Sequence, residues 1–218
     1  MPSLDSVTFD SSALQPQRED DHLRLWCTDA GDFIGLHFFP LRPDIGADPT
    51  DIRELRRFYS KTTTAAGGAL IDLETLTIDN CLAVRGIIKV PQQPSGMTYL
   101  GSITLPFQTF SFVVKIQAEE RGTTGVRDTL VLEEALADGR VSIDLDAQDL
   151  RGWAGDPYDP SLCDGLRRNL SEHVEYDARF PDHPLSRVRQ ILSQLESSLR
   201  VDAELRRAPQ FRFGEAAP

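Results

Sequence analysis

Four strand-like runs joined by short connections occupy the middle of this 218-residue chain and restrict its fold most strongly. They cover residues 69–78, 82–90, 97–105 and 109–117. Apolar and polar side chains alternate along most of the last run, which is typical of a strand with one buried face. Parallel crossovers need about a dozen residues or more, and no connection here is that long. The sequence therefore predicts an antiparallel meander over residues 69–117.

The segments around the meander add a hairpin and two helices. The runs LRLWCT (23–28) and FIGLHFF (33–39), separated by turn residues, predict a β-hairpin. Asp48 as N-cap and Pro49 at the first helical position predict the start of an amphipathic helix. A second helix is predicted over 123–138. Together these elements predict an α+β fold, with an antiparallel sheet of about six strands and helices packed on one face.

The second predicted helix has a recognisable apolar face. Thr123 or Thr124 is the expected N-cap, and Gly139 is expected to end the helix. Four side chains share one face at helical spacing: Val126, Thr129, Leu132 and Leu136. This spacing is typical of the face that an amphipathic helix turns toward its domain.

Three regions are expected along the chain. Residues 1–22 are polar and predict a flexible N-terminal arm, although Val7 and Phe9 would allow it to dock as an edge strand. Residues 23–140 predict the α+β domain, and residues 141–218 predict a C-terminal loop-and-helix extension. The extension contains a predicted helix over about 183–200, with Asp182 as its N-cap. Its apolar seam recurs at steps of three and four residues: Leu185, Val188, Leu192, Leu195 and Leu199.

Charge and cysteine usage narrow the classes of function. The formal net charge is −11 and the pI is about 4.8, which disfavours binding to nucleic acid because phosphate backbones are repelled. No apolar run is long enough to span a membrane, and the N-terminus lacks the basic start and apolar core of a secretory signal. Cys27, Cys81 and Cys163 lie far apart and are odd in number, which predicts reduced thiols in the cytoplasm.

A proline- and glutamine-rich insert between two meander strands is the first candidate for partner binding. The segment 91–96 reads PQQPSG, although a hairpin turn needs only about two residues. Its prolines stiffen it, and its glutamines offer hydrogen bonds without the desolvation cost of charges. The alternative is that it merely joins two staggered strands. The predicted partner-binding residues are Gln92, Gln93, Pro94, Met97 and Tyr99, with Trp153 and Tyr158 from the extension; Lys115 and Gln117 are expected beside Tyr99 on the polar face.

Residues typical of metal sites cluster before the last helix. The segment SEHVEYDARFPDHP contains His173, Glu175, Asp177, Asp182 and His183. Their spacing fits no standard zinc pattern, and no H-E-x-x-H is present. The acidic loop 156–164 likewise lacks the ligand spacing and closing glutamate of an EF-hand. The sequence therefore predicts no metal, no cofactor and no catalytic residue.

The order of elements resembles that of the PsbP-like superfamily. The resemblance rests on LRLWCTDAGDFIGLHFF, DPTDIRELRRFYSKTTTAAGG and the meander, and it covers residues 23–138. That superfamily also contains DcrB-like proteins, lipoproteins of the LpqN type and a Ran-binding nuclear import factor. The resemblance implies an antiparallel sheet flanked by helices and a binding role without chemistry, and it assigns no functional residue.

These observations favour a non-catalytic protein-binding module, an adaptor or chaperone of a bacterial system. An immunity protein that neutralises a cognate toxin is the nearest alternative, because an acidic protein suits a basic toxin surface. A small-molecule carrier is a further alternative, and it requires an apolar cavity under the sheet. A metal-dependent or hydrolytic enzyme using His173 or His183 is the last alternative.

Overall fold

A computed structural model describes residues 2–146 and 149–215 of the chain. Its strands are β1 (Val7–Thr8), β2 (Gln15–Glu19), β3 (Leu23–Cys27), β4 (Phe33–Phe39), β5 (Ala69–Ile78), β6 (Cys81–Pro91), β7 (Met97–Pro106), β8 (Ser111–Glu119), β9 (Ser142–Asp144), β10 (Asp149–Arg151), β11 (Ala154–Gly155), β12 (Arg168–Asn169) and β13 (Arg200–Val201). Its α-helices are α1 (Ile52–Ala65), α2 (Val126–Ala137) and α3 (Pro184–Ser198). Short 3₁₀ turns cover Leu4–Ser6, Leu170–Glu172, Val174–Tyr176 and Leu205–Arg207.

One seven-stranded sheet forms the centre of the molecule. Its order is β2-β3-β4-β8-β7-β6-β5, and every neighbouring pair is antiparallel. The predicted α+β class and the meander are therefore confirmed, with one strand more than expected. The hairpin β3–β4 joins the sheet beside β8, so the chain crosses one face of the sheet between β4 and β5. This crossing places α1 over the β5 end of that face.

The turn between β5 and β6 shows how local sequence fixes the register. Asp79 and Asn80 both have positive φ, at 48° and 67°. Two left-handed residues form the hairpin turn whose twist matches that of the flanking strands, and Asp and Asn tolerate this conformation better than most residues. The predicted tight turn is thus present, and it pairs Ile78 with Cys81.

Helices cover both faces of the sheet, not one as predicted. Ile87 belongs to the core with α3, whereas its neighbour Ile88 packs against the cluster that contains Leu55 of α1. Successive strand residues point to opposite faces, so α1 and α3 lie on opposite sides. The predicted apolar seam of α3 is confirmed, and all five of its residues are buried in the core: Leu185, Val188, Leu192, Leu195 and Leu199.

Both ends of the chain contribute to the core. Residues 1–22 are predicted to form a flexible arm, but β2 pairs with β3, and Val7 is fully buried where β1 pairs with β13, so the alternative of docking is the one the structure shows. Residues 141–218 are predicted to form an extension, but α3 covers β7 and β8 and completes the core. The composition of the N-terminal segment indicates a loose arm because most of its residues are polar. Its contact with the core depends on a few apolar residues such as Val7.

All three helices begin at residues other than those predicted. The N-cap of α2 is Gly125, with φ of 73°, and not Thr123 or Thr124. Asp51, not Asp48, caps α1 by accepting hydrogen bonds from two N–H groups of its first turn at 3.0 and 3.2 Å. Asp48 instead closes a turn by accepting from Thr50 N at 2.9 Å. His183, not Asp182, caps α3, with Nδ1 accepting from the N–H of the second residue after it at 3.2 Å. None of the described helices combines the length and apolar character required to cross a membrane.

Side chains close the β5 edge of the sheet. The Leu73 N–H donates to the Tyr158 hydroxyl at 2.9 Å, and Arg56 Nε donates to the Leu73 carbonyl at 2.9 Å. The Tyr158 hydroxyl in turn donates to Asp72 Oδ1 at 2.8 Å, and the Arg56 guanidinium lies 4.2 Å from the Tyr158 ring centroid. Unpaired edges invite pairing with another chain, so these contacts protect the sheet from edge-to-edge association.

We predict that Tyr158→Phe lowers the free energy of unfolding by about 1–3 kcal/mol, because the half-buried Leu73 N–H loses its acceptor. Burial, with the Asp72 carboxylate, raises the pKa of Tyr158 to about 12. The pKa is raised in the folded state, so this stabilisation is present below about pH 10 and lost as the pH rises toward 12. Urea unfolding at neutral and alkaline pH measures both effects.

Tyr59→Phe is the matched control, because the Tyr59 hydroxyl has no hydrogen bond to the described residues. It should change the free energy of unfolding by less than about 0.5 kcal/mol. Equal effects of the two substitutions, or an unchanged alkaline slope in Tyr158→Phe, would show that Tyr158 does not hold the edge.

Candidate functional site

A buried arginine sets the orientation of α2. Only 1% of Arg127 is exposed, and its guanidinium donates to the Ser171 carbonyl at 2.7 Å, the Ser186 hydroxyl at 2.9 Å, Asp177 Oδ1 at 3.0 Å and the His173 carbonyl at 3.2 Å. A guanidinium keeps its charge when buried, so it requires such partners. These contacts turn the Arg127 side of α2 toward the segment 170–177.

The face of α2 that the sequence predicts to be buried is therefore largely exposed. Of the four residues predicted on that face, Val126 (44%), Thr129 and Leu136 (37%) are exposed and Leu132 is half-buried, whereas Val131 and Ala135 are fully buried. Leu130, which was not predicted on that face, is also exposed, at 38%. The prediction from apolar periodicity was wrong because it gave no weight to the charged partners of Arg127. The helix has aliphatic residues on both sides, and the charge network decides which side faces inward.

Further exposed aliphatic residues occur in the hairpin that follows α2 in the chain. We call Val126, Leu130, Leu136, Ile143 and Leu145 the α2 surface; Ile143 is 62% exposed and Leu145 84%. Residues 126–150 contain seven acidic residues and two arginines, one of which is the buried Arg127. Arg179 and Arg151, from outside this range, pair with Glu134 and Asp144, and including them changes the net charge from −5 to −3. The α2 surface is thus apolar and lies in a part of the protein that remains net acidic.

The proline- and glutamine-rich loop lies beside the first turn of α2. The Ser95 and Thr124 hydroxyls are 3.2 Å apart, and Met97 N donates to Glu120 Oε2 at 2.8 Å, while Glu120 Oε1 accepts from Gly125 N at 2.9 Å. Gln93 and Pro94 are exposed, whereas Gln92 and Met97 are half-buried. Four of the predicted partner-binding residues therefore lie next to the α2 surface.

Tyr99 belongs to a buried ionic cluster, and its predicted place on an exposed polar face was wrong. Only 1% of it is exposed, and its hydroxyl donates to Glu172 Oε1 at 3.0 Å. The other Glu172 oxygen lies 2.7 Å from Lys89 Nζ and accepts from Asn169 N at 2.8 Å. Burial, followed by the Glu172 charge, raises the pKa of Tyr99 well above its usual value. The cluster ties the segment 169–172 to β6 and β7.

The predicted contacts from the extension lie apart from this loop in the chain's own structure. The Tyr158 hydroxyl is used at the β5 edge, as described above. Trp153 is half-buried and lines a cavity of about 310 Å³ together with His173. A role for either residue in partner binding stays a prediction.

The histidines of the sequence-predicted metal alternative have other neighbours. His183 Nε2 is 3.6 Å from Glu120 Oε1, and its ring packs edge-on against Tyr99. Burial opposes ionisation of Glu120, but hydrogen bonds from His183 and two backbone N–H groups outweigh it and lower the Glu120 pKa. Burial, followed by the nearby arginines, lowers the pKa of His173. No group of three or more possible metal ligands is found among residues 2–146 and 149–215.

A groove of about 650 Å³ crosses the α1 face of the sheet. Its floor is one cross-strand row, which the register runs through Leu73, Gly86, Ser102, Lys115, Gly35 and Leu25. Two of these residues are glycines and one is a serine, so the floor is lower than the larger residues on either side. α1 forms one wall with Tyr59, Thr62, Thr63 and Ala66. Lys115 and Gln117 line this groove, on the face opposite to Tyr99.

The exposure of Leu130 and the presence of the groove were not predicted from the sequence. Buried arginines that set the rotation of a helix have no local signal in one sequence. The groove does have a local sequence signal. Gly35, Gly86 and Ser102 are small residues within strands, and glycine inside a strand often marks a site that a ligand or another backbone approaches closely. Their alignment appears only once the register is known.

Comparison with known proteins assigns neither a family nor a function to this chain. No family model matches the chain, and no curated protein matches it. Among solved structures, the Ran-binding protein Mog1p of Saccharomyces cerevisiae aligns with a TM-score of 0.40 and 10% sequence identity, over 92% of this chain and 88% of that chain. A similarity of this size assigns no role to any residue.

We predict that Arg127→Met destabilises the protein by about 3 kcal/mol, because Asp177 and two carbonyls lose a buried charged donor. Asp177 keeps Arg189, whose Nη1 lies 2.9 Å from Oδ1, so the loss falls at the lower end for a broken buried pair. Urea unfolding of Arg127→Met and of the exposed Arg53→Met measures it. A change as small as that expected for Arg53→Met, below about 0.5 kcal/mol, would contradict the role given to Arg127.

Proposed function

We propose that the protein is a non-catalytic protein-binding module that docks its partner on the α2 surface. The observation that supports this most is the exposure of Val126, Leu130 and Leu136 on a helix whose orientation is fixed by buried Arg127. Aliphatic residues lie on both the inner and the outer side of α2, although the outer side also carries the exposed Thr129 and Glu133. Here its outer side faces solvent, which is typical of a surface covered by another molecule.

The loop beside α2 extends the proposed interface. Gln93 and Pro94 are exposed, and the contact of Ser95 with Thr124 holds the loop next to the first turn of the helix. A held loop loses little conformational entropy on binding, which favours affinity. The sequence-based proposal for this loop and the structure-based proposal for α2 thus concern one continuous region.

Charge indicates the chemistry of the partner. Residues 126–150 carry a net charge of −5, from seven acidic residues and two arginines, within a chain of net charge −11. A partner segment that combines aliphatic side chains with lysine or arginine would match both the apolar stripe and its acidic surroundings. Association with such a partner is expected to slow as salt concentration rises.

Within this class, an adaptor or chaperone of a bacterial system in the cytoplasm is the role we favour. The resemblance of 23–138 to the PsbP-like superfamily supports a binding role, because the hairpin, helix and meander on which it rests are all present in the fold. An immunity protein is the second candidate, and the acidic surroundings of α2 favour it, since they suit a basic toxin. A partner that is toxic in cells lacking this protein would decide for the second role.

The variant Leu130→Lys, Leu136→Lys tests the proposal. Cross-linking in host cells should capture a partner with the unaltered protein, and the purified partner should bind it directly. Substitution of two central aliphatic residues should weaken that binding about 30-fold or more, the loss expected for an interface hot spot. Leu41→Lys is the matched control because Leu41 is 61% exposed in the loop before α1, and it should leave binding unchanged.

Two results would overturn the proposal. One is a partner whose affinity is the same for the α2 double variant and for Leu41→Lys. The other is a dimer of the unaltered protein in sedimentation that the double variant converts to monomers, because the α2 surface would then join two copies of this chain.

A further inference from the structure

The groove on the α1 face is a second site, of a different kind from the α2 surface. Gly86 and Ser102 form a low floor, whereas the His37 ring lies over Gly35, where a Cβ would be 2.9 Å from His37 Nε2. Larger apolar residues on the next row rise beside the floor: Leu70, Ile88, Leu100 and Phe33. Ile88 and Leu100 are only half-buried, and Phe33 is 41% exposed. The groove therefore presents aliphatic and aromatic surface to solvent in a concave shape.

The size of the groove fits a small ligand better than a protein segment. Its volume of about 650 Å³ lies within the range of about 300–1,000 Å³ for sites that enclose small molecules. A peptide that bound by adding a strand would need a free sheet edge. Tyr158 and Arg56 occupy the β5 edge, and the β2 edge contains Pro16 and a register shift.

The charge of the residues that line the groove indicates which kind of small apolar ligand it can bind. Among the described residues that line the groove, Lys115 is the one with a charge at neutral pH, and none is a carboxylate. Burial, followed by the positive charge of Lys115, lowers the pKa of His37, so its imidazole is neutral there. Lys115 forms no ion pair within the described chain, and its Nζ lies 5.4 Å from the Phe39 ring centroid. A lone ammonium in an acidic protein is available for an anionic group.

The distance from Lys115 to the far wall sets the length of the ligand. Lys115 is on β8, and α1 lies over β5, three strand spacings away, which is about 14 Å. One acyl chain fills half of the ~30 Å hydrocarbon core of a bilayer, or about 15 Å. An extended acyl chain therefore reaches from Lys115 across Ser102 and Gly86 to the wall formed by Tyr59.

We propose that this groove binds a free long-chain carboxylate, with its carboxylate at Lys115 and its hydrocarbon chain along the Ser102–Gly86 floor toward α1. The hydroxyl of Ser102 lies directly opposite Lys115 in the register and can donate to the same carboxylate. The Gln117 amide also lines the groove, but its Nε2 donates to Glu119 Oε1 at 2.8 Å. The site makes the protein a carrier or sensor of a monomeric amphiphile, independently of what binds the α2 surface.

Titration with palmitate, and with hexadecanol as its uncharged counterpart, tests the inference by calorimetry or by displacement of a fluorescent fatty acid. We expect saturable binding of one palmitate. Ser102→Trp fills the floor and should abolish binding of both probes. Lys115→Gln should weaken palmitate about tenfold, the effect of losing one charge-assisted contact, and leave hexadecanol unchanged. Lys61→Gln, an exposed lysine on α1 outside the groove, is the matched control.

Lys115→Glu serves as a second test that does not depend on a bulky substitution in the sheet. It should reverse the preference, so that hexadecanol binds more tightly than palmitate. The inference is overturned if palmitate does not saturate, if a folded Ser102→Trp binds it normally, or if Lys61→Gln weakens it as much as Lys115→Gln. Binding to anionic vesicles without binding to monomeric palmitate would also overturn it, because the ligand would then be a membrane surface.

Discussion

The buried guanidinium of Arg127 is the contact on which the arrangement of the outer elements depends. It joins α2 to the carbonyls of Ser171 and His173 and to the side chains of Asp177 and Ser186, which precede or begin α3. The same segment is joined to the sheet by Glu172, through Lys89 and Tyr99. Breaking either set of contacts would leave a charge buried without a partner, which costs far more than an exposed ion pair contributes. The segment 169–177 thus acts as the connector between α2, α3 and the sheet.

Two different surfaces follow from this arrangement and from the sheet register. The α2 surface is exposed because Arg127 takes the inner side of its helix, and it is aliphatic and lies in a net acidic part of the chain. The groove is open because α1 reaches the β5 end of its face only, and it is concave, apolar and contains Lys115. An exposed aliphatic helix face suits a protein partner, whereas an apolar groove suits a small molecule. The two proposed sites share no residue, so the two proposals are independent of each other.

The sequence predicts the elements well where short-range rules decide them. Turn residues such as Asp79 and Asn80, and the seam of α3 from Leu185 to Leu199, act locally, so the meander and the last helix are where the pattern places them. Long-range contacts decide the rest. The outward rotation of α2 depends on partners that are 44 to 59 residues away from Arg127, and no local pattern records them. The burial of Tyr99 could not be predicted for the same reason. The alternation of a strand does not reveal which of its polar residues contacts a buried glutamate.

The orientation of α2 is the central claim, and methyl NMR in the presence of a soluble paramagnetic agent tests it most directly. The agent broadens the signals of methyl groups that it can approach. If Arg127 holds α2 as described, the Leu130 and Leu136 methyl signals broaden strongly, while those of Val131, which is fully buried, keep their intensity. Broadening of Val131 with protection of Leu130 would mean that the helix is turned the other way, and it would contradict the account.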